Sequence, residues 1–354
     1  MAAEKEKALA DKLAEYKASL SQEQLEKLVA DTKHLKEYQD AEETEEALKT
    51  IPLLKREDIS RESAKIYNTE KHVDDTLVLH HEIDTNGIGY LELLFDMKYV
   101  PEELVPYMGI LKSVLGYVDT EHYDYGALFN EINARSGGIL FGISVFTDSK
   151  DNQKFTPMAG IKAKSLYKDI PFVFEMVKEI LKTSKLEDEK RLYEIIAKMK
   201  SRLQMSLVSS GHTTAAMRAL SYFSAGSAFQ EKISGVDFYQ MVNDIEENFE
   251  QRKADVIAKL KELMGYVFRA ENLMVSYTSE EKGYEGLEKE IKEFKEILYT
   301  GEKKETASYS SYVVKNEGFK TAGQVQHVAA AGNFKEAGFE YTGALRILKV
   351  MLSY

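Results

Sequence analysis

Apolar residues near the N-terminus recur at helical spacing. One stripe consists of Leu9, Leu13, Tyr16 and Leu20, and a second consists of Leu25, Leu28, Val29 and Leu35. Spacings of three and four place each set on one face of an α-helix. Ser21 and Gln24 form the capping-box pattern that begins the second helix. The pattern predicts two amphipathic helices in an antiparallel hairpin, whose narrow stripes must pack on another surface.

Periodicity fades between residues 39 and 71, and from there to about residue 300 strand and helix patterns are interspersed. Strands are predicted at 87–97, 139–147, 155–165 and 270–278. Helices are predicted at 102–118, from 124 to Gly137-Gly138, from Asp169, and at 186–223, 237–248, 251–264 and 285–298. The short polar turn at 148–152 joins two strands, which implies antiparallel pairing. We therefore predict an α+β fold with an antiparallel sheet packed against helices.

The residues after Gly301 contain too few elements for a domain of their own. A strand is predicted at 323–331 and a helix at 342–353. Such a small set cannot enclose a hydrophobic core. We therefore expect residues 301–354 to be the truncated start of a further domain.

Composition narrows the possible functions. Hydrophobic residues are 44% and charged residues 30% of the 354-residue chain, as in soluble globular proteins. No apolar run is long enough to span a membrane, and the charged start at Met1–Lys7 is unlike a secretion signal. The net charge of −12 argues against nucleic acid. It would suit basic peptides, although solubility explains it equally well. The absence of cysteine excludes disulfides, thiol catalysis and cysteine-bound zinc.

The sequence contains no motif typical of a catalytic or metal-binding site. The seven histidines are His34, His72, His80, His81, His122, His212 and His327, and no two are spaced as metal ligands on a helix. His80 and His81 would point to opposite faces of a strand, and His122 lies where a helix cap is expected. The run Ser209-Ser210-Gly211-His212 lies in a predicted helix, where neighbours face apart. No phosphate-binding loop or nucleophile elbow occurs. We predict no catalytic or metal-binding residue, and no substrate-binding residue can be named.

Three stretches resemble one family when they are taken in their order and spacing. They are the helical hairpin followed by Gln39-Asp40 and then Ile51–Ile59, the stretch Ser210–Ala219, and Tyr341–Leu345. Together they are similar to the presequence-protease and falcilysin branch of the insulinase, or pitrilysin-type, zinc metallopeptidases. The resemblance covers nearly the whole chain.

The resemblance implies an enzyme of two halves joined by a helical hairpin, which close around a chamber for unfolded peptides. The first half holds zinc through a His-x-x-Glu-His motif, and the second half has the same fold without it. Residues 1–70 resemble the hinge hairpin and linker, 71–300 the third domain, and 301–354 the start of the fourth. The helix at 102–118 takes the place of the zinc helix, yet residues 107–115 contain neither histidine nor glutamate. Arg346 and Tyr354 do not match the assisting arginine and tyrosine of the family.

We therefore expect a fragment of the non-catalytic half of a zinc oligopeptidase, inactive alone. Zinc would be bound by the other half of the parent enzyme. The partners would be that catalytic half and peptide substrates, with no nucleic acid or membrane. The location would be cytoplasmic in a bacterium or an organelle matrix in a eukaryote. Two alternatives are a free-standing peptide-binding or scaffold protein with a degenerate peptidase fold, and a hydrolase whose site is assembled from dispersed residues.

Overall fold

The computed structural model describes residues 2–63, 65, 67–148, 150–151, 153–301, 305–309, 312–320 and 325–353. The chain divides into two compact units, Met1–Lys65 and Ile66–Tyr354. Ser149 and Asn152 of the predicted turn, and the first residues of the strand predicted at 323–331, lie outside the described residues. No helix in the described part of the chain is both long enough and apolar enough to cross a membrane.

The first unit contains three α-helices. They are α1 (Ala2–Ser19), α2 (Gln22–Asp40) and α3 (Glu45–Lys49). The capping box at α2 is present: the N–H of Gln24 donates to Ser21 Oγ at 3.2 Å, and Gln24 Oε1 accepts from the N–H of Ser21 at 2.9 Å. No described side chain of this unit is buried, and Leu9, Leu13 and Leu35 are more than half exposed. Helices α1 and α2 are as predicted, whereas packing of the hairpin stays a prediction.

The second unit is built on one six-stranded sheet. Its strands are β1 (Thr69–Val73), β2 (Thr76–Glu82), β3 (Ile88–Asp96), β4 (Ile139–Thr147), β5 (Phe155–Leu166) and β6 (Leu273–Ser279). Their order across the sheet is β1-β2-β6-β3-β5-β4. Four neighbouring pairs are antiparallel, and β2 with β6 is parallel. The α+β class is confirmed, and the sheet differs from the expected antiparallel one by this single parallel pair.

Helices cover one face of the sheet. They are α4 (Val105–Val114), α5 (Tyr125–Arg135), α6 (Ile170–Thr183), α7 (Glu189–Ser209), α8 (Gly211–Leu220), α9 (Ala225–Ser234), α10 (Val236–Glu247), α11 (Phe249–Val267), α12 (Glu281–Tyr284) and α13 (Leu287–Lys295). Alternate residues of β3, namely Leu91, Leu93 and Phe95, enter one hydrophobic core with the apolar faces of α4, α6 and α11.

Several sequence predictions of helices and strands were wrong in detail. The single helix expected at 186–223 is two helices, α7 and α8, because the backbone at Ser210 leaves the helical region (φ −120°, ψ 37°). The pattern missed α9, β1 and β2. Of the strand predicted at 323–331, the described residues 325–331 are not in a strand. The described residues between 305 and 342 form neither helix nor strand, and α14 (Gly343–Ser353) follows them.

Candidate functional site

Helix α4 occupies the position that the resemblance assigns to a zinc helix. Its sequence, VPYMGILKSV, has no histidine and no carboxylate, and seven of its ten residues are buried. Gly109 allows a close approach to α10, because a Cβ atom there would overlap the ring of Phe238. The helix is therefore packed as a core element, and its side chains do not fit zinc, whose protein ligands are histidine nitrogen, cysteine thiolate and carboxylate oxygen.

The histidines are dispersed rather than gathered around one point. His80 is buried, bonds Ser279 Oγ through Nε2 at 3.1 Å and lies against the Tyr284 ring, whereas His81 on the opposite face bonds the carbonyl of Tyr67. Burial, and then the nearby charge of Lys71, lower the pKa of His80. Among the described residues, no group of three or more histidine, aspartate or glutamate side chains could hold a metal ion.

His122 has a different role from the helix cap expected from the sequence. Asp124 caps α5, accepting from the N–H groups of Gly126 and Ala127. His122 Nδ1 lies 3.0 Å from Glu179 Oε2, and this hydrogen bond raises the pKa of His122. Partial burial opposes ionisation of Glu179, but hydrogen bonds from Thr120 and His122 lower its pKa to about 2. His122, which is exposed, and Glu179, which is largely buried, therefore form an ion pair between the loop before α5 and helix α6.

The structure brings His212 and His327 together, although the sequence gives them no relation. Their ring centroids are 6.0 Å apart, and a side chain at Gly211 would overlap the His327 ring. This contact places the irregular segment around His327 against the start of α8. Two imidazoles without a further ligand among the described residues do not make a zinc site.

A cluster around the buried Arg218 is a polar assembly that sequence reasoning missed. Arg218 on α8 is 7% exposed, and its guanidinium contacts three carboxylates. Its distances are 3.2 Å to Glu231, 3.0 Å to Asp237 and 2.7 Å to Glu317. The hydroxyl of Tyr222 also donates to Glu317. The cluster thus connects α8, α9 and α10 with the irregular segment 312–320.

Each carboxylate of this cluster has a distinct environment. Burial raises the pKa of Glu231, whose Oε1 accepts the N–H groups of Val236 and Asp237 at the start of α10. The hydrogen bond from Arg218 is the main cause that lowers the pKa of Glu317 to about 2. Partial burial opposes the charge on Arg218, but its hydrogen bonds to Glu317 and Asp237 raise the pKa of the guanidinium. The cluster holds a segment in place and contains no activated nucleophile.

A weak sequence signal for this cluster existed. Arg218 belongs to the stretch Ser210–Ala219, which carried the family resemblance, but an arginine on an amphipathic helix is normally exposed. Its partner Glu317 is 99 positions away. Only the folded chain shows that the two are paired.

Comparison with known proteins identifies similar sequences. The family model for the region associated with peptidases of family M16, subfamily C, matches residues 1–245. Protein HypA of Clostridium perfringens is 37% identical over 284 residues, which are 80% of this chain and 29% of that protein. Presequence protease 1, chloroplastic/mitochondrial, of Arabidopsis thaliana is 24% identical over 81% of this chain and 26% of that protein. The chain therefore spans less than a third of the length of these curated relatives.

Solved structures with a similar backbone were also found. The peptidase M16 inactive domain from Pseudomonas fluorescens matches with a TM-score of 0.45 and 12% sequence identity, over 70% of this chain and 53% of that chain. A conserved protein from Enterococcus faecalis matches with a TM-score of 0.47 and 13% identity, over 72% of this chain and 57% of that chain.

Proposed function

Because this chain belongs to the family of regions associated with subfamily C of the M16 peptidases, we propose that it is the non-catalytic part of a zinc-dependent oligopeptidase. In this proposal it encloses and positions unfolded peptides for hydrolysis by a catalytic half of the same polypeptide. Residues 1–70 serve as hinge and linker, 71–300 as the third domain of the enzyme, and 301–354 as the start of the fourth. The parent acts in the cytoplasm of a bacterium or in an organelle matrix of a eukaryote.

The observation that carries the proposal is the composition of α4. In a chain similar to presequence proteases, the helix at the expected zinc position is apolar and buried, and its ten residues include no zinc ligand. In this proposal zinc is bound by another part of the parent enzyme, and no chemical step is assigned to this chain. Its contribution is a scaffold that binds peptide and limits its motion.

Metal content and peptide cleavage of the purified chain test the proposal. We expect no stoichiometric zinc and no hydrolysis of an unfolded peptide, but measurable binding of that peptide by fluorescence anisotropy. Stoichiometric zinc, or cleavage abolished by a chelator, would show that the chain is itself a metallopeptidase. Folded protein of similar charge is the control for binding, because a chamber for unfolded peptides should not retain it.

The surrounding gene sequence provides a second test. A His-x-x-Glu-His motif encoded upstream in the same reading frame is expected. A complete reading frame without that motif would instead favour a free-standing peptide-binding or scaffold protein with a degenerate peptidase fold.

A further inference from the structure

Strand β4 forms one edge of the six-stranded sheet. Its inner side pairs with β5 without interruption, from Ile139 opposite Ala163 to Thr147 opposite Phe155. No strand in the described part of the chain pairs with its outer side. Nine residues at about 3.4 Å each make an edge about 30 Å long, along which alternate backbone N–H and C=O groups have no strand partner.

This edge lacks three of the features by which proteins normally protect exposed strands. Its sequence, ILFGISVFT, contains no charge and no proline, and its one-to-one register with β5 leaves no bulge. The other edge of the same sheet is protected. Strand β1 has only five residues and includes Glu70 and Lys71, and Lys71 lies 3.6 Å from Glu281 and over the Tyr284 ring. The two edges therefore differ in their capacity to accept another strand.

The two faces of β4 define what an added strand would meet. Ile139, Phe141, Ile143 and Val145 pack against the hydrophobic core under the helices. Leu140 and Phe146 lie on the opposite, open face and are 61% and 53% exposed. An added strand would place alternate side chains on these same two faces, because side chains alternate along every strand. Apolar residues at alternating positions would therefore be favoured.

Interface size indicates a peptide rather than a second copy of the chain. A specific interface between two folded proteins takes roughly 20–30 residues on each side, whereas β4 offers nine. A short extended peptide requires only the ladder of backbone hydrogen bonds and the alternating side-chain contacts.

We propose that the outer edge of β4 binds an extended peptide, with apolar side chains at alternating positions, as an additional strand of the sheet. This inference rests on the proposed peptide-enclosing function and names the surface that performs it. The peptide has no proline in the paired stretch, since proline would remove a ladder hydrogen bond.

Backbone methylation of the probe tests the hydrogen-bond ladder without changing the protein. The probe is a fluorescent peptide of alternating threonine and valine flanked by lysines, measured by anisotropy. Methylation of the amides along one edge of the peptide leaves its other edge able to pair with β4, so affinity should be retained. Methylation along both edges should weaken binding at least about tenfold, because several backbone hydrogen bonds are lost together. Equal affinity of all three peptides would overturn the β4 proposal.

Cysteine trapping tests the location, since the chain contains no cysteine of its own. Leu140→Cys on β4, with Glu70→Cys on β1 as the matched control, is mixed with a probe that carries one cysteine. We expect the disulfide with the probe at position 140 only; Phe146→Cys provides a second β4 position should the first variant fold poorly. Equal trapping at β1 and β4, or trapping of a second copy of the chain in preference to the probe, would overturn the proposal.

The results of these experiments distinguish failure of the β4 proposal from failure of the proposed function. Bound zinc or peptide cleavage by this chain would contradict the non-catalytic role, whatever the trapping shows. Peptide binding that is insensitive to methylation and is not trapped at β4 would leave the enclosing role intact and remove only the β4 edge.

Discussion

Helices α2 and α6 follow the same amphipathic pattern but have opposite environments. Each has apolar residues at spacings of three and four, yet α6 buries eight residues, including Phe174 and Val177, while α2 buries none of its described side chains. The helical period determines that a helix can form, and packing determines its contribution to stability. The residues of the second unit should therefore control cooperative unfolding, and those of the first unit should act locally.

Removing an aromatic ring from the core should produce the largest difference between the two helices. Phe174 is fully buried, with its ring 5.7 Å from that of Phe294, so Phe174→Ala should lower the free energy of unfolding by about 3–5 kcal/mol. Leu35→Ala in α2 should change it by less than about 0.5 kcal/mol, because Leu35 is 54% exposed. Urea denaturation measures both. A comparable loss of unfolding free energy for Leu35→Ala would mean that α2 packs against another surface in solution.

Removing one charge from the arginine cluster should have the next largest effect. Glu317 has a pKa of about 2 in the folded chain against an ordinary 4.5, so its ionised form stabilises the fold above about pH 4.5. That contribution is lost as the pH falls from 4.5 towards 2. We expect Glu317→Gln to cost about 1–2 kcal/mol at pH 7, because hydrogen bonds to a charged group are lost. The difference in the free energy of unfolding between this variant and the unmodified chain should disappear as the solution is acidified.

An exposed ion pair in α2 is the matched control for this charge removal. Lys33 and Glu37 lie 3.7 Å apart with both side chains mostly exposed. Glu37→Gln should leave the urea midpoint unchanged at every pH, because solvent screens such pairs. A Glu317→Gln variant with the same pH dependence as the unmodified chain would exclude the ionised cluster as a source of stability.

Removal of a helix cap should have the smallest effect on stability, and it should distinguish the two units most clearly. Asp124→Ala removes the cap of α5 and should lower the global free energy of unfolding by about 1 kcal/mol. Ser21→Ala removes the capping box of α2 and should reduce helicity in far-UV circular dichroism without a shift of the cooperative midpoint. Equal midpoint shifts for both variants would indicate that the two units unfold together.

The sequence was sufficient to predict strands that pair with the next strand along the chain. β4 and β5 were predicted within one residue of their bounds, because an apolar run, a polar turn and a second apolar run form a local pattern. β2 was missed since its inward residues are Thr76, Val78 and His80, while the more apolar Leu77 and Leu79 face the other way. Its parallel partner β6 lies about two hundred positions away and leaves no mark on the local pattern.

Helix α9 was missed for a related reason. Its sequence, AGSAFQEKIS, contains glycine and serine, which are weak helix formers. Gly226 allows α9 to approach the sheet, because a Cβ atom there would lie 3.1–3.2 Å from Thr147 and Val145. Packing against β4 and β5 thus compensates for low intrinsic propensity.

The sequence by itself determined the α+β class, most helices, the capping box of α2 and the absence of histidine and glutamate from the α4 run. These features depend on residue types within one or two turns of chain. The tertiary structure alone decided the strand order, the open edge at β4 and the pairing of Arg218 with Glu317. Each of these depends on residues far apart in sequence, whose proximity results from burying one common core.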